Sequence, residues 1–370
     1  MNRNIKMVFC TQNMAPFRMR WVDEIAKYID VHVYHLDEYG AGVNMKYINY
    51  FPKRAKVFCD KVSILKRNFF DHKKILDENA DIYLLDGYGF LGQQCLMLEL
   101  SIKRIPFIVS VDGGFVNQNE NFLKKKIKSF LLKKPSAFLS TSKETDEFIQ
   151  YYAGNNINIM RHYFSSISAE NIRNCVDKEE KRIYRGELDI KDKFTVIAVG
   201  QFIPRKGFDI LIKAVKSVRL DIQVYFVGAS NAKQYDVLID DEVREKIRFV
   251  DFCDEDTLSK YYCASDVFVL PTREDVWGLV IGEAMAQGLP IVTTNKCLAG
   301  MEMINEFENG FIVQSDNEDA LAKVITYLYD NPDLCDEMGR NNLKKICNYS
   351  IEEATKKDIE NFKKWIGYEG

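Results

Sequence analysis

Residues 270–288 read LPTREDVWGLVIGEAMAQG. The apolar run Val267–Leu270 ends at Pro271, an acidic turn leads to Gly278, and a helix-period stretch continues to about Gln287. Gly288 and Pro290 then stop the helix around a second apolar run, Leu289–Thr293. Strand, turn, helix and strand in that order form the repeating unit of a parallel sheet with crossover helices. Asp275 lies just before the helix and Glu283 eight residues later, inside it. With a helix starting at Gly278, Glu283 sits roughly 7.5 Å along its axis. Such a pair could hold two hydroxyl-bearing parts of one ligand, with the amides of Val276–Leu279 facing a phosphate or sugar between them. An N-cap at Asp275 and a solvated helix residue at Glu283 satisfy the same pattern.

Upstream, residues 199–207 read VGQFIPRKG. A strand enters a loop between Gly200 and Gly207 that ends in two cations, and a helix follows. Backbone amides and a helix N-terminus favour an anion there, with Arg205 as a bidentate fork and Lys206 as a point charge. The spacing is not that of a Walker A loop, and a basic surface turn fits the same residues. The alternation of strand and helix extends through the second half: Phe194–Val199, Ile222–Val227, Ile247–Phe252, Val267–Leu270, Leu289–Thr293 and Gly310–Val313 are strand-like. In the first half the corresponding runs are Ile5–Cys10, Val31–Leu36, Ile82–Leu85, Pro106–Val111 and Ala137–Ser140. The charged stretch 177–193, DKEEKRIYRGELDIKDK, separates the two series. The expected organisation is a first domain over 1–185, a second over 190–350, and a C-terminal helix over 351–370 that packs back on the first. Each domain reads as a doubly wound α/β unit, which binds ligands outside the carboxyl ends of its strands. Two such units leave a cleft between them.

Composition excludes several classes. Hydrophobic content of 46% and charged content of 28% over 370 residues suit a globular chain with two cores. No run of 18 apolar residues exists, so no transmembrane helix is expected. The opening MNRNIKMVFCTQNMAPFRMR has no signal-peptide apolar region, and the nine scattered cysteines form no CxxC pair, which suits a reducing cytoplasm. His32 and His35, in VHVYH, are expected to pack in a strand and not to ligate a metal. Residues 1–190 carry 29 Lys and Arg against 23 Asp and Glu, net +6, whereas residues 191–370 carry 22 against 31, net −9. The basic first half points to an anionic partner.

The block LPTREDVWGLVIGEAMAQGLPIV resembles the acidic E-x7-E region of glycosyltransferase family 4 (group 1). VGQFIPRKGFDILIKAV resembles that family's phosphate-binding loop, and NGFIV with the following helix its C-terminal segment. The resemblance is strong from about residue 195 to 330 and weaker over the first half. It implies the GT-B fold, two Rossmann-like doubly wound domains facing a central cleft. It further implies retaining, metal-independent transfer of a hexose-type sugar from a nucleotide-sugar donor to an acceptor hydroxyl. No metal, no cofactor and no nucleic-acid partner are implied. Glu283 would bind the ribose hydroxyls. The segment from Asp275 through Trp277, Gly278 and Leu279 would hold the donor sugar and part of the diphosphate through its amides. Gly200 would belong to the phosphate loop, and Lys206 would stabilise charge on the leaving nucleotide. Two positions depart from the family pattern. The first acid is Asp275 and not Glu, with Glu274 off register by one, and Gln201 stands where the family often has arginine, a charge that Arg205 is expected to supply.

In the first half, the loop CTQNMAPFRMRW (10–21) follows the first strand, with Arg18 on the acceptor side and a helix beginning near Arg20. FIVSVDGGFV (107–116) places Asp112 where related enzymes have a histidine near the donor sugar, and a tight Asp-Gly-Gly turn accounts for it equally. NFLKKKIKSFLLKK (121–134) spaces Leu123, Ile127, Phe130 and Leu131 on a helix among lysines that include Lys124, Lys125 and Lys128. That helix either meets anionic lipid, at the inner face of the membrane or on a lipid-linked acceptor, or packs on the sheet with its lysines in water. The expected function is sugar transfer in surface polysaccharide or glycolipid assembly. A GT-B sugar-nucleotide epimerase or hydrolase, and a non-catalytic sugar-nucleotide-binding protein, fit the same motifs.

Overall fold

Runs of β-branched and aromatic residues spaced by helix-period stretches become two separate parallel sheets. The computed structural model describes residues 4–36, 50–64, 67–228 and 232–368. It divides into two units, Met1–Ser166 with Ile351–Gly370, and Ile167–Ser350. The first unit contains β1 (Lys6–Thr11), β2 (Asp30–His35), β3 (Lys56–Phe58), β4 (Lys61–Ile64), β5 (Arg67–Phe70), β6 (Ile82–Asp86), β7 (Ile108–Val111), β8 (Ala137–Ser140) and β9 (Asn158–Arg161). Seven of these form one sheet in the order β3-β2-β1-β6-β7-β8-β9, while β4 and β5 form an antiparallel hairpin. The second unit holds β10 (Phe194–Val199), β11 (Ile222–Val227), β12 (Ile247–Val250), β13 (Val267–Leu270), β14 (Ile291–Thr294) and β15 (Gly310–Val313), ordered β12-β11-β10-β13-β14-β15.

Every pairing within the two large sheets is parallel. Parallel sheets need apolar cover on both faces, and the strand residues alternate between two cores. Met7 and Phe9 join Trp21, Ile359 and Phe362 on one face. Val8 and Cys10 join Leu96, Phe138 and Tyr152 on the other. In each sheet the strand order reverses beside the first strand, between β1 and β6 and between β10 and β13. Brändén-type crevices open at such switch points.

Three local expectations are corrected. The charged stretch 177–193 is not a linker between units. Asp177 caps a helix, Lys178–Glu187, by accepting from the amides of Glu179 and Glu180 at 2.8 and 3.2 Å. Lys181 and Arg185 then reach Asp266, just before β13, at 2.8 and 2.7 Å. The units therefore divide at Ser166 and Ile167, not between 185 and 190. Second, the helix after β1 begins at Pro16 and not near Arg20, because proline suits the first helical position. Third, Asn158–Arg161 and the short strands β3, β4 and β5 carry no strong apolar run and were not expected.

The last helix, Ile351–Trp365, belongs to the first unit. Asp358, fully buried, accepts from Trp21 Nε1 at 2.8 Å and lies 2.9 Å from His162 Nδ1. One carboxylate thus ties the end of the chain to the helix Pro16–Ile25 and to the segment after β9. Removing it leaves two buried polar groups without their partner. Asp358→Ala is expected to cost about 2–4 kcal/mol of stability in urea unfolding, whereas Glu360→Ala, on the exposed side of the same helix, is expected to change little.

Candidate functional site

At the switch point of the second unit, the loops after β10 and β13 are joined along their backbones. Beyond Gly200 the chain makes a single tight turn, Pro204–Lys206, and Gly207 (φ 67°) starts the helix Phe208–Ser217. A Cβ on Gly207 would lie 2.0 Å from the Pro271 carbonyl oxygen, so both the left-handed backbone and the close approach require glycine. The Arg205 carbonyl accepts from Thr272 Oγ1 at 2.8 Å and from the Arg273 amide at 2.7 Å. Arg273 grips Asp209 with two bonds of 2.8 and 2.7 Å, and reaches Pro204 O at 2.7 Å and Asp316 at 2.6 Å. Its bonds to Asp209 push the guanidinium pKa up. Burial alone would raise the Asp209 carboxyl, but the Arg273 bonds and charge hold it below its ordinary value.

This seam sets the charges. Lys206, buried at 8% exposure, points its Nζ at Asp275 Oδ2, 2.5 Å away. Arg205 is half-exposed, with Nη1 3.8 Å from the other Asp275 oxygen. Asp275 is not an N-cap. Its amide donates to Lys296 O at 2.8 Å and its carbonyl accepts from Leu298 at 3.3 Å, so the main chain beyond β14 fixes it. The cap of the helix Leu279–Ala286 is Gly278, at φ 96°, where a Cβ would meet Cys297 Sγ at 2.8 Å. Leu279 opens that helix, and Glu283, partly buried, accepts from Tyr262 Oη at 3.2 Å. Trp277 is buried at 4% exposure, and its carbonyl accepts from Ala299 at 2.9 Å. Its ring is therefore interior.

The first unit carries a second charged cluster at its own switch point. Arg18 lies in the helix Pro16–Ile25 and is not exposed. It is buried at 8% exposure, with Nη1 2.9 Å from Asp86 and Nη2 2.6 Å from Asp112. Thr11 Oγ1 donates to Asp86 at 2.7 Å, and the Asp112 carbonyl accepts from Thr141 Oγ1 at 2.8 Å. Asp86 was not singled out from sequence, although it ends an apolar strand before a glycine as Asp112 does. Burial pushes its carboxyl up, Arg18 pulls it back and Asp112 adds to the rise, and the balance leaves it raised to about 6. The lysines also separate. Lys124 is exposed, Lys128 turns inward to Glu120 at 2.7 Å, and Lys125 is half-buried with its Nζ 4.1 Å from the centroid of the Tyr151 ring.

Residues 180–345 match the family model described as glycosyl transferases group 1. An uncharacterized glycosyltransferase of Methanocaldococcus jannaschii is 24% identical over 89% of this chain and 88% of its own. A capsular polysaccharide biosynthesis glycosyltransferase of Staphylococcus aureus is 27% identical over 46% of each chain. Among solved structures, Anabaena HepE in complex with UDP superposes with a TM-score of 0.77 at 16% identity, over 97% of this chain and 100% of that one. The matches support the glycosyl transferases group 1 family. The fold is GT-B, with two Rossmann-like parallel-sheet units. The chain spans about half the length of the first curated relatives it matches.

Two expectations follow from the geometry. Gly207→Ala is expected to lose about 2 kcal/mol or more in thermal or urea unfolding, since the backbone must shift to free the Pro271 carbonyl. Asp86 has a folded-state pKa near 6, above its ordinary 3.8, so its protonated form stabilises the folded chain. That contribution is complete below 3.8 and lost as pH rises through about 6. Unfolding measured from pH 7 down to 4 is expected to show wild type gaining stability relative to Asp86→Asn, with no further divergence above 7.

Proposed function

We propose that this chain is a retaining, metal-independent glycosyltransferase that moves a hexose-type sugar from a nucleotide-sugar donor to an acceptor hydroxyl. The observation that carries the reading is the buried Lys206–Asp275 pair, set at the switch point beside the helix start at Gly278 and ahead of Glu283. A cation in a crevice, next to first-turn amides that have no intrahelical acceptor, suits a diphosphate. Glu283 would take the ribose hydroxyls, and the main chain from Asp275 to Leu279 the sugar and part of the diphosphate. Asp275 holds Lys206 extended before a donor arrives; the incoming diphosphate then shares that ammonium, and Arg205 swings in as a second cation. During transfer the bond from the anomeric carbon to the phosphate oxygen breaks and a bond to the acceptor oxygen forms on the same face. The acceptor proton leaves with the nucleoside diphosphate, whose growing charge Lys206 neutralises.

On the first unit, Asp112 is the carboxylate we assign to the reaction-centre side, held by Arg18, which is itself bound to Asp86. Asp112 Oδ1 has no hydrogen-bond partner among the described residues. The names of relatives, capsular polysaccharide, O-antigen and lipopolysaccharide core enzymes among them, favour surface polysaccharide or glycolipid assembly.

A thermal-shift screen against UDP-, GDP- and ADP-sugars finds the donor, because stabilisation grows with ligand concentration over Kd. With that donor, Lys206→Ala is expected to lower kcat by about 10²- to 10³-fold. Glu283→Gln is expected to raise the donor KM by about tenfold or more with a smaller change in kcat. Donor turnover that ignores every acceptor, or tight binding without turnover, would replace transfer with hydrolysis, epimerisation or simple binding.

A further inference from the structure

In the first unit, the helix Phe122–Leu132 buries one side and turns an apolar stripe outward. Asn121 caps it, Leu131 and Leu132 enter the core, and Lys128 faces inward to Glu120 and Tyr152. Leu123, Ile127 and Phe130, spaced at i, i+4 and i+7, share the opposite face. They are 67%, 59% and 54% exposed, and the neighbouring Phe122 is 65% exposed. Four large apolar side chains left in water on an eleven-residue helix form a contiguous patch, unlike the scattered singles of an ordinary surface.

The charges around the patch are of one sign. Lys124, Lys126 and Lys133 are exposed beside it, and Lys134 flanks its end. Lys126 Nζ stands 4.5 Å from the centroid of the Phe122 ring and Lys134 Nζ 4.4 Å from that of the Phe130 ring, so both ammonium groups sit over rings of the patch itself. From Gly113 to Ser142 the only carboxylate is Glu120, which Lys128 already occupies.

We propose that this face docks on an anionic phospholipid bilayer, lying in the plane of the interface. Phe122, Leu123, Ile127 and Phe130 would enter the acyl boundary, and Lys124, Lys126, Lys133 and Lys134 would meet lipid phosphates. Charge selects this occupant. A second copy of the helix would bring the same lysines against these, and a neutral apolar partner would leave them unpaired. No helix among the described residues is long and apolar enough to cross a membrane, so the contact is peripheral. The proposal does not depend on the transferase reading, and it would bring the chain to a lipid-linked acceptor.

The test is flotation of the full chain with vesicles of phosphatidylcholine and phosphatidylglycerol, and with phosphatidylcholine alone, at low and high salt. Binding is expected only to the anionic vesicles and is expected to weaken with salt. Leu123→Ser/Ile127→Ser/Phe130→Ser, and separately Lys124→Gln/Lys126→Gln/Lys133→Gln/Lys134→Gln, are each expected to lower partitioning by about tenfold or more. Because these side chains are exposed, the thermal midpoint should hold, which separates lost docking from lost folding. No flotation with anionic vesicles at low salt overturns the proposal, as does unchanged binding by either variant. A dimer in solution that the serine variant dissociates would also overturn it, making the face a protein interface.

Discussion

The carbonyl of Arg205 takes the hydroxyl of Thr272 and the amide of Arg273, and the charges of the second unit's switch point depend on that seam. With Gly207 pressed against Pro271, the loops after β10 and β13 behave as one body. Arg273 reinforces them by binding Asp209 on the helix that follows β10 and Asp316 after β15. Within this frame Lys206 has one direction to point, and Asp275, fixed by its own main-chain bonds beyond β14, waits there. A buried ion pair of this kind adds little to stability by itself. Its consequence is a pre-positioned cation at the place where a parallel sheet admits ligands.

The first unit solves the same topological problem with the opposite balance. There a single guanidinium, Arg18, lies between two carboxylates from successive strand ends, Asp86 and Asp112. Burial drives the more enclosed carboxyl, Asp86, up towards neutral pH against the pull of Arg18, and the charge of the half-buried Asp112 adds to the rise. The helix carrying Arg18 is held in turn by Trp21 and Asp358, so the terminal helix contributes to the placement of the cluster from far away in sequence. The two units thus present different chemistry at equivalent positions: a lysine held by one carboxylate in one, and two carboxylates held by one arginine in the other.

Periodicity and punctuation made much of the fold legible. Val267–Leu270, Phe194–Val199, Ala137–Ser140 and Gly310–Val313 are strands with the bounds their apolar runs predict. Strands β3, β4, β5 and β9 were not legible, because they are short or polar: β3 and β9 owe their state to pairing with β2 and β8, and β4 and β5 to pairing with each other. The charged stretch near 180 looked like a linker because charge usually means solvent, yet Asp266, more than 75 residues on, gives its cations a partner. In the basic helix, spacing identified the apolar stripe, but periodicity carries no sign. It does not say whether a stripe faces the sheet or the water.

The sequence by itself determined the two series of alternating elements, the switch-point motifs from Val199 to Gly207 and from Leu270 to Gly288, and the resemblance they carry. Those features are local: strand and helix periods, glycines at turns, and cations and acids at fixed spacing. Tertiary structure alone decided that Lys206 meets Asp275, that Arg18 is buried between Asp86 and Asp112, and that Leu123, Ile127 and Phe130 face outward. Each is a meeting of residues far apart in the chain, or a choice of which face is covered. Long-range strand pairing and packing set both, and no local pattern encodes them.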